Sequence, residues 1–383
     1  MLLMSFKDLY LDDASSSKVS SEVLKTYKLL LDKYYANTSA NHKLGLSVKK
    51  LEEKSRQQIL DLFKLKNYKL IFTASASEAN NMAIKAFALE NADKGRHIIV
   101  SEIEHASVYN ACQFLEKYFN FKVTYLKVKK DGSIDLDLLK NSLKEDTILV
   151  SIMSVNNELG SLIDSKAWTS VVKKYSQAAC HVDMVQALGK IDLNFDNVDL
   201  ASFSAHKING LNGSGFLLMR DHIKLAPLIS GGDQEYGLRG GSSNAAANIT
   251  LAKTVRLAVE NKEEKSKKLK SVHTYLIEEL KKIKEVVINT PLDNCVYNIV
   301  NISVIGVESE VMMRALSNEN IYVSAGSTCQ SDVHKQSRIL AAVNKSEEIQ
   351  KSRIRISFDD SINIEDIKRL ISTIKEIIKQ YAI

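Results

Sequence analysis

Short runs rich in β-branched residues, each followed by a longer stretch of helical periodicity, recur along the first two thirds of this chain and constrain its fold most. Runs readable as strands fall at 69–72, 97–100, 122–126, 147–151, 180–183, 199–204 and 215–219. Helical patterns lie between several of them, at 78–90, 106–119 and 166–176. Continuously apolar strands alternating with helices predict an α/β domain around a mainly parallel sheet, covered on both faces. Beyond about residue 248 the texture changes. Residues 250–284 read as one long, charge-rich helix with Leu269, Val272, Leu276, Leu280 and Ile283 at helical spacing. Strand-like runs at 298–305 and 353–358, with helices at 309–318 and 364–381, predict a second, smaller α+β unit. A chain of 383 residues has room for both.

Composition removes several classes of function. The net charge of +6 is the balance of 52 basic and 46 acidic residues scattered along the chain, which points away from direct nucleic-acid binding. The lysines Lys265, Lys267, Lys268 and Lys270 are interleaved with acids and read as a solvated helix face. The start, Met1-Leu2-Leu3-Met4-Ser5-Phe6, is broken at Lys7 and Asp8, too short for the apolar core of a signal peptide. The longest apolar stretch, 147–155, is about half of the roughly 20 residues that a membrane-spanning helix requires. Cys112, Cys180, Cys295 and Cys329 stand far apart without a CxxC pair, so neither a disulfide framework nor a metal site is expected. A reducing cytoplasm is the expected compartment.

The chemistry concentrates at strand ends. Asp199-Leu200-Ala201-Ser202-Phe203-Ser204-Ala205-His206-Lys207 closes a strand on Ser, His and Lys before a glycine-bearing turn. The carboxyl ends of parallel strands are where open α/β sheets bind ligands. A lysine there can form a Schiff base with an aldehyde, as lysines do when they tether pyridoxal phosphate. Taken alone, Lys207 reads first as a surface lysine. Gly210 and Gly215 imitate the start of a P-loop, but Phe216 and Leu217 follow where Lys and Ser/Thr are required, which rejects a nucleotide site. A second strand end, Cys180-His181-Val182-Asp183, places an acid where one further strand would bring it beside Lys207. Pyridoxal phosphate needs an acid at its ring nitrogen, because a protonated ring is the better electron sink. Asp183 alone is equally a helix cap; together with Lys207 it favours the cofactor. A phosphate site is the third requirement. Phe72-Thr73-Ala74-Ser75-Ala76-Ser77 runs from a strand through small residues into a helix, an arrangement suited to an anion, although it also reads as ordinary capping.

These pieces, with Glu78-Ala79-Asn80-Asn81, Glu104-His105, Val155-Asn156-Asn157-Glu158-Leu159-Gly160, Gly237-Leu238-Arg239 and Ser324-Ala325-Gly326-Ser327-Thr328-Cys329, give the chain its resemblance. From Tyr10-Leu11-Asp12 to the last helix it resembles the cysteine desulfurases of the class V aminotransferase group, in the NifS/IscS-like branch. The resemblance implies the type I fold of pyridoxal-phosphate enzymes. A large domain over 16–254 would hold a mainly parallel seven-stranded sheet. Residues 1–15 and 255–383 would form a smaller α+β domain with a mobile cysteine loop at about 324–338.

It also implies roles. Lys207 matches the cofactor-bearing lysine and Asp183 the partner of the ring nitrogen. Asn156 and Gln186 match the residues that hydrogen-bond the phenolic oxygen, and His105 the histidine that stacks over the ring and moves a proton. Ala76, Ser77, Ser204 and His206 match the phosphate-binding positions, and Ser242 a residue that reaches the phosphate of the other subunit in a homodimer. Arg355 falls where the substrate carboxylate binds, with Arg353 as a competitor and Asn37 and Asn156 beside the substrate. Cys329, in a polar segment, matches the nucleophile that takes sulfur as a persulfide and passes it to an acceptor protein, for iron–sulfur cluster assembly or for tRNA or cofactor thiolation. Cys112, Cys180 and Cys295 read as small buried hydrophobes.

Some segments depart from the family pattern. Ala74-Ser75-Ala76-Ser77 stands for Ser-Gly-Ala-Thr, Gly210-Leu211 for Gly-Pro, and Asp359-Asp360 for Gly-Arg, while 37–42 and the residues after Cys329 also differ. None removes a catalytic group. The alternatives are another class V enzyme, such as a selenocysteine lyase, or a non-catalytic partner protein that keeps the cofactor.

Overall fold

A computed structural model describes residues 8–326 and 337–381. Seven strands form one sheet, in the spatial order Tyr68–Thr73, Gly215–Arg220, Leu200–Ser204, Ala179–Asp183, Thr147–Ser151, His97–Ser101 and Lys122–Leu126. The last five of these are mutually parallel, and only Gly215–Arg220 runs against its neighbours. Alternate residues of each strand enter different cores. Ile98, Val100, Leu200, Leu217 and Met219 face one. Ile99, Val150, Val182, Phe203 and Phe216 face the other. Coverage on both faces is why the strands read as unbroken apolar runs rather than alternating ones.

Helix Ala106–Phe119 ends at Asn120, whose left-handed φ of 54° stops it where the sequence pattern stops. The expected helix at 78–90 starts earlier, at Ala76, capped by Ser75. Its helical run continues to Glu90 with a wider π turn at Met82–Ala86. The single long helix expected over 250–284 is two, Ala245–Glu260 and Lys262–Leu280, meeting at Asn261. Charge-rich periodicity ran through the junction because the apolar spacing survives it.

The second unit is built on the antiparallel strands Val286–Ile288, Ile299–Val304 and Arg353–Ser357. Helices Ser309–Asn318 and Ile364–Tyr381 pack on it, and Leu9 and Leu11 join its core from the other end of the chain. The backbone then bridges from Asp12 to Ser357, which carries residues 12–17 across to the carboxyl edge of the large sheet.

That edge is closed tightly at Gly215. A Cβ there would lie 2.7 Å from the Phe203 carbonyl oxygen and 2.9 Å from the Ser75 carbonyl carbon. The helix starting at Ala76 can therefore sit directly against the ends of two strands. Gly215→Ala is expected to lower stability by about 1–3 kcal/mol through overpacking. Urea denaturation measures it; an unchanged midpoint would mean the helix start moves freely.

Candidate active site

The carboxyl ends of the strands surround a cavity of about 280 Å³, lined among others by Ala76, Ser77, His105, Asp183, Ser204 and Lys207. Separate elements deliver them, with Ala76 and Ser77 sharing one. Asp183 ends the strand Ala179–Asp183 and Ser204 ends its neighbour, while Lys207 closes the 3₁₀ turn Ala205–Lys207 that follows. Ala76 and Ser77 open the helix beside them, and His105 caps helix Ala106–Phe119. The small unit supplies Arg355, and the crossing segment supplies Ala14 and Ser15. A larger cavity of about 440 Å³ adjoins this one and shares Lys207.

Asp183 is buried. One carboxylate oxygen accepts from the Val185 amide at 3.0 Å and the other from Asn80 Nδ2 at 2.8 Å. Asn80 also donates to Ser107 Oγ at 2.8 Å, and that hydroxyl lies 2.8 Å from His105 Nδ1. The Ser107 amide donates to the same nitrogen, so Nδ1 is an acceptor and the ring proton is assigned to Nε2. Burial pushes the imidazole's proton affinity down and the Asp183 carboxylate opposes it. A neutral ring results. Asn80, fully buried, stands in the sequence only as part of the Glu78-Ala79-Asn80-Asn81 motif; its place in the helix that follows the phosphate segment is the available signal.

Lys207 Nζ donates to the carbonyl oxygens of Ala14 and Ser15, at 2.7 and 2.6 Å. Gln186 Nε2 donates to the same Ala14 oxygen at 3.0 Å, and its own oxygen accepts from the half-buried Lys190. Burial brings Lys190 down to about 8 and lifts its neighbour Asp13 to about 6. His206 also lines the cavity, and burial lowers it to about 4, so it is neutral near pH 7. Ser204 Oγ is buried with no hydrogen-bond partner among the described residues. An unsatisfied hydroxyl beside backbone N–H groups at a helix start is what an absent anion would leave behind.

Not all of the expected site residues meet at the cavity. Asn156 does not reach the cavity. Its amide donates to the Ile103 carbonyl at 2.9 Å, and its oxygen accepts from the amides of Glu158 and Leu159 at 2.9 and 2.8 Å, so it is spent on building its own turn. The next residue, Asn157, lines the cavity instead, with a buried Oδ1 that accepts no hydrogen bond among the described residues. Asn37 is exposed and caps the Ser39 amide at 2.8 Å, away from the cavity. Ser242 is exposed in a separate crevice with Arg239 and Gly241. Arg353 is buried against the Gln350 carbonyl, whereas Arg355 borders the cavity. Arg355 holds the Asn157 carbonyl at 2.9 Å, Asp12 at 2.8 Å and Ser15 at 2.6 Å. Cys329 lies outside the described residues. Cys112 and Cys180 are buried and Cys295 partly so, and burial drives the first two thiols far up and Cys295 to about 11. Such thiols are poor nucleophiles. Among the described residues no cluster of His, Cys, Asp and Glu could hold a metal, and no helix is long and apolar enough to cross a membrane.

Beneath His105, Glu104 is fully enclosed. Ser101 Oγ donates to one oxygen at 2.5 Å and the Met153 amide at 2.9 Å, but burial dominates and raises the group to about 8. The folded chain therefore keeps a proton that the unfolded chain releases near pH 4.5. This contribution is complete below about pH 4.5 and is lost as pH climbs to about 8. Replacing the acid by its amide removes the titration. Urea midpoints of Glu104→Gln should fall less between pH 5 and pH 8 than those of the wild type; parallel profiles would refute a protonated Glu104.

The aminotransferase class-V family model matches residues 9–370. A cysteine desulfurase IscS of Dictyoglomus turgidum is 36% identical over 377 residues, 98% of this chain and 95% of that protein. Among solved structures, a NifS-like protein superposes with a TM-score of 0.91 at 30% identity, covering 97% of this chain and all of the other. SspA in complex with cysteine does so with a TM-score of 0.80 at 31% identity, covering 91% and 98%. The match spans both units and the cavity between strand ends and crossing segment, and the chain belongs to the class-V aminotransferase family, on its NifS/IscS-like branch.

Proposed function

We propose that this protein is a cysteine desulfurase that binds pyridoxal 5'-phosphate in the 280 Å³ cavity. The observation that carries the reading is that Lys207 and Asp183 face that one cavity from two adjacent strand ends. The relatives that bear the desulfurase name, and the SspA structure with cysteine, support the same activity. No observation favours the alternatives of a selenocysteine lyase or a non-catalytic partner.

The residues present fit the cofactor. Asp183, fixed by Asn80 and the Val185 amide, would hold the ring nitrogen. His105 would lie over the ring, and the amides of Ala76 and Ser77 with Ser204 and His206 would hold the phosphate. Asn157 and Gln186 also line the cavity and would be the amides available to the cofactor's phenolic oxygen. When bound, pyridoxal phosphate supplies an aldehyde for amines and an electron sink for the substrate's α-carbon.

The chain's own residues do the rest. Arg355 binds the cysteine carboxylate, for which a planar guanidinium suits better than an ammonium. Lys207, drawn from the Ala14 and Ser15 carbonyls, takes the α-proton and returns it to the α-carbon before alanine leaves. The Cys329 thiolate attacks the substrate sulfur. An S–S bond forms, the Cβ–S bond breaks, and its electron pair stays on Cβ, which takes up a proton with help from His105. Free cysteine and the enzyme thiol thus become alanine and a persulfide on Cys329, with sulfur oxidised and Cβ reduced, and no outside oxidant is required.

An acceptor protein then removes the sulfur. The enzyme works as a homodimer in which Ser242, exposed on its own subunit, completes the partner's phosphate site. Its compartment is the cytoplasm, where free thiols stay reduced. We divide the chain into a large unit over 16–254 and a smaller one from the remainder, which has a core of its own around Ile302 and Ile354.

Purified protein given pyridoxal phosphate should turn yellow, and Lys207→Ala should remove that absorbance. L-cysteine with a reductant should yield sulfide and alanine in equal amounts. Cys329→Ala should slow alanine release by about a hundredfold or more, as loss of a covalent nucleophile does. Wild-type rates from that variant would overturn the persulfide route.

A further inference from the structure

We propose that Arg338 is a positioning residue that holds the turn carrying His105 in place; the proposal rests on the reading of His105 as the proton-moving group above. The turn that presents His105 is anchored from within by Glu104, which accepts from Ser101 and the Met153 amide, and by the Ile103 carbonyl, which accepts from Asn156. The amides of Glu102 and Glu104 donate to the carbonyls of Leu126 and Ser101, which leaves their own carbonyl oxygens for another donor. Both oxygens are taken by the Arg338 guanidinium, Nη1 donating to Glu102 and Nη2 to Glu104. The same guanidinium lies over the Tyr109 ring, 4.1 Å from its centre. Arg338 therefore grips the chain on both sides of His105, before it at two carbonyls and after it at the first turn of the helix. Only a planar, five-donor group bridges two carbonyls and stacks on a ring at once.

Arg338 is itself fixed. It opens the helix Arg338–Ala342, capped by Ser337, whose hydroxyl accepts from the Leu340 amide and donates to Glu158 Oε2, both at 3.1 Å. Glu158 is tied in turn through its amide to Asn156 Oδ1. His105, Asn157, Glu158 and Arg338 line one narrow crevice beside the cavity. This gives Asn156, spent on its turn, a purpose in the same assembly.

The charged groups that bear on the imidazole come from four elements. Asp183 and Glu158 favour its protonated form; Lys207 and Arg338 oppose it, as does burial. Glu104, behind the turn, holds its proton to about pH 8 and adds no charge at neutrality. Removing Arg338 thus removes one of two opposing cations and frees the turn.

The test compares wild type with Arg338→Ala and Arg338→Lys, each loaded with pyridoxal phosphate, for kcat and KM on L-cysteine across pH. A histidine NMR titration of each cofactor-free protein runs alongside, with the His105 signal identified by its loss in His105→Asn. Arg338→Ala should lower kcat by about ten- to a hundredfold, as expected for a misplaced catalytic group. KM should change less than about twofold, and His105 should titrate at higher pH. Arg338→Lys keeps the charge but cannot bridge two carbonyls and stack. It should titrate near the wild-type pH while kcat stays low. Wild-type kcat and an unmoved His105 titration in Arg338→Ala would overturn the proposal. So would a loss of kcat that matches a loss of folded protein by thermal melting, with the histidine signal unmoved. If wild type itself makes no alanine from cysteine, the desulfurase reading fails, and the NMR comparison still decides whether Arg338 acts on His105.

Discussion

The carboxylate of Asp183 sits at the end of a central strand with little access to water, and an isolated ion there would be costly. Its two hydrogen bonds, from Asn80 and the Val185 amide, hold it in one orientation at the floor of the cavity. The rest of the site is arranged around that fixed charge. Asn80 extends the same bond network through Ser107 to His105, so the acid at one side of the cavity and the histidine at another share one frame. Lys207, delivered by the neighbouring strand, closes the opposite side.

Three structural levels meet at this point. The parallel strands end together, which places an acid, a hydroxyl and an amine within one opening. The absence of a side chain at Gly215 lets a helix start press against those ends. The crossing segment brings Ala14 and Ser15 over the top, tied to the small unit through Asp12 and Arg355. Binding groups from both units are thus preset before any ligand arrives, which reduces the reorganisation left for catalysis. Burial has a matching electrostatic effect: it keeps His105 and His206 neutral and Glu104 protonated, so the site holds few free charges apart from those that the chemistry uses.

Much of this was legible in the residues. The strands are too apolar to belong to a one-sided sheet, and their observed bounds differ from the expected ones by a residue or two. Lys207 and Asp183 were visible because each closes such a strand. What escaped was set by backbone detail. In Asn156-Asn157 two identical side chains compete, and the turn from Val155 to Leu162 decides that the first caps amides while the second faces the cavity. Arg353 and Arg355 share a strand face by alternation, so only the packing of the two units separates them. Asn80 and Arg338 escaped for a different reason: each acts on another side chain or on a turn, and nothing in spacing records that. Asn37 and Ser242 lie outside the cavity of their own chain, and a single chain offers no geometry that would bring them to it.

The most direct measurement is a crystal structure of the protein reconstituted with pyridoxal 5'-phosphate. Continuous density is expected from Lys207 Nζ to the cofactor, with the ring nitrogen at hydrogen-bond distance from Asp183, about 2.8 Å, and the phosphate against the amides of Ala76 and Ser77. A cofactor bound elsewhere, or seated in the cavity with its ring nitrogen turned away from Asp183, would contradict that placement.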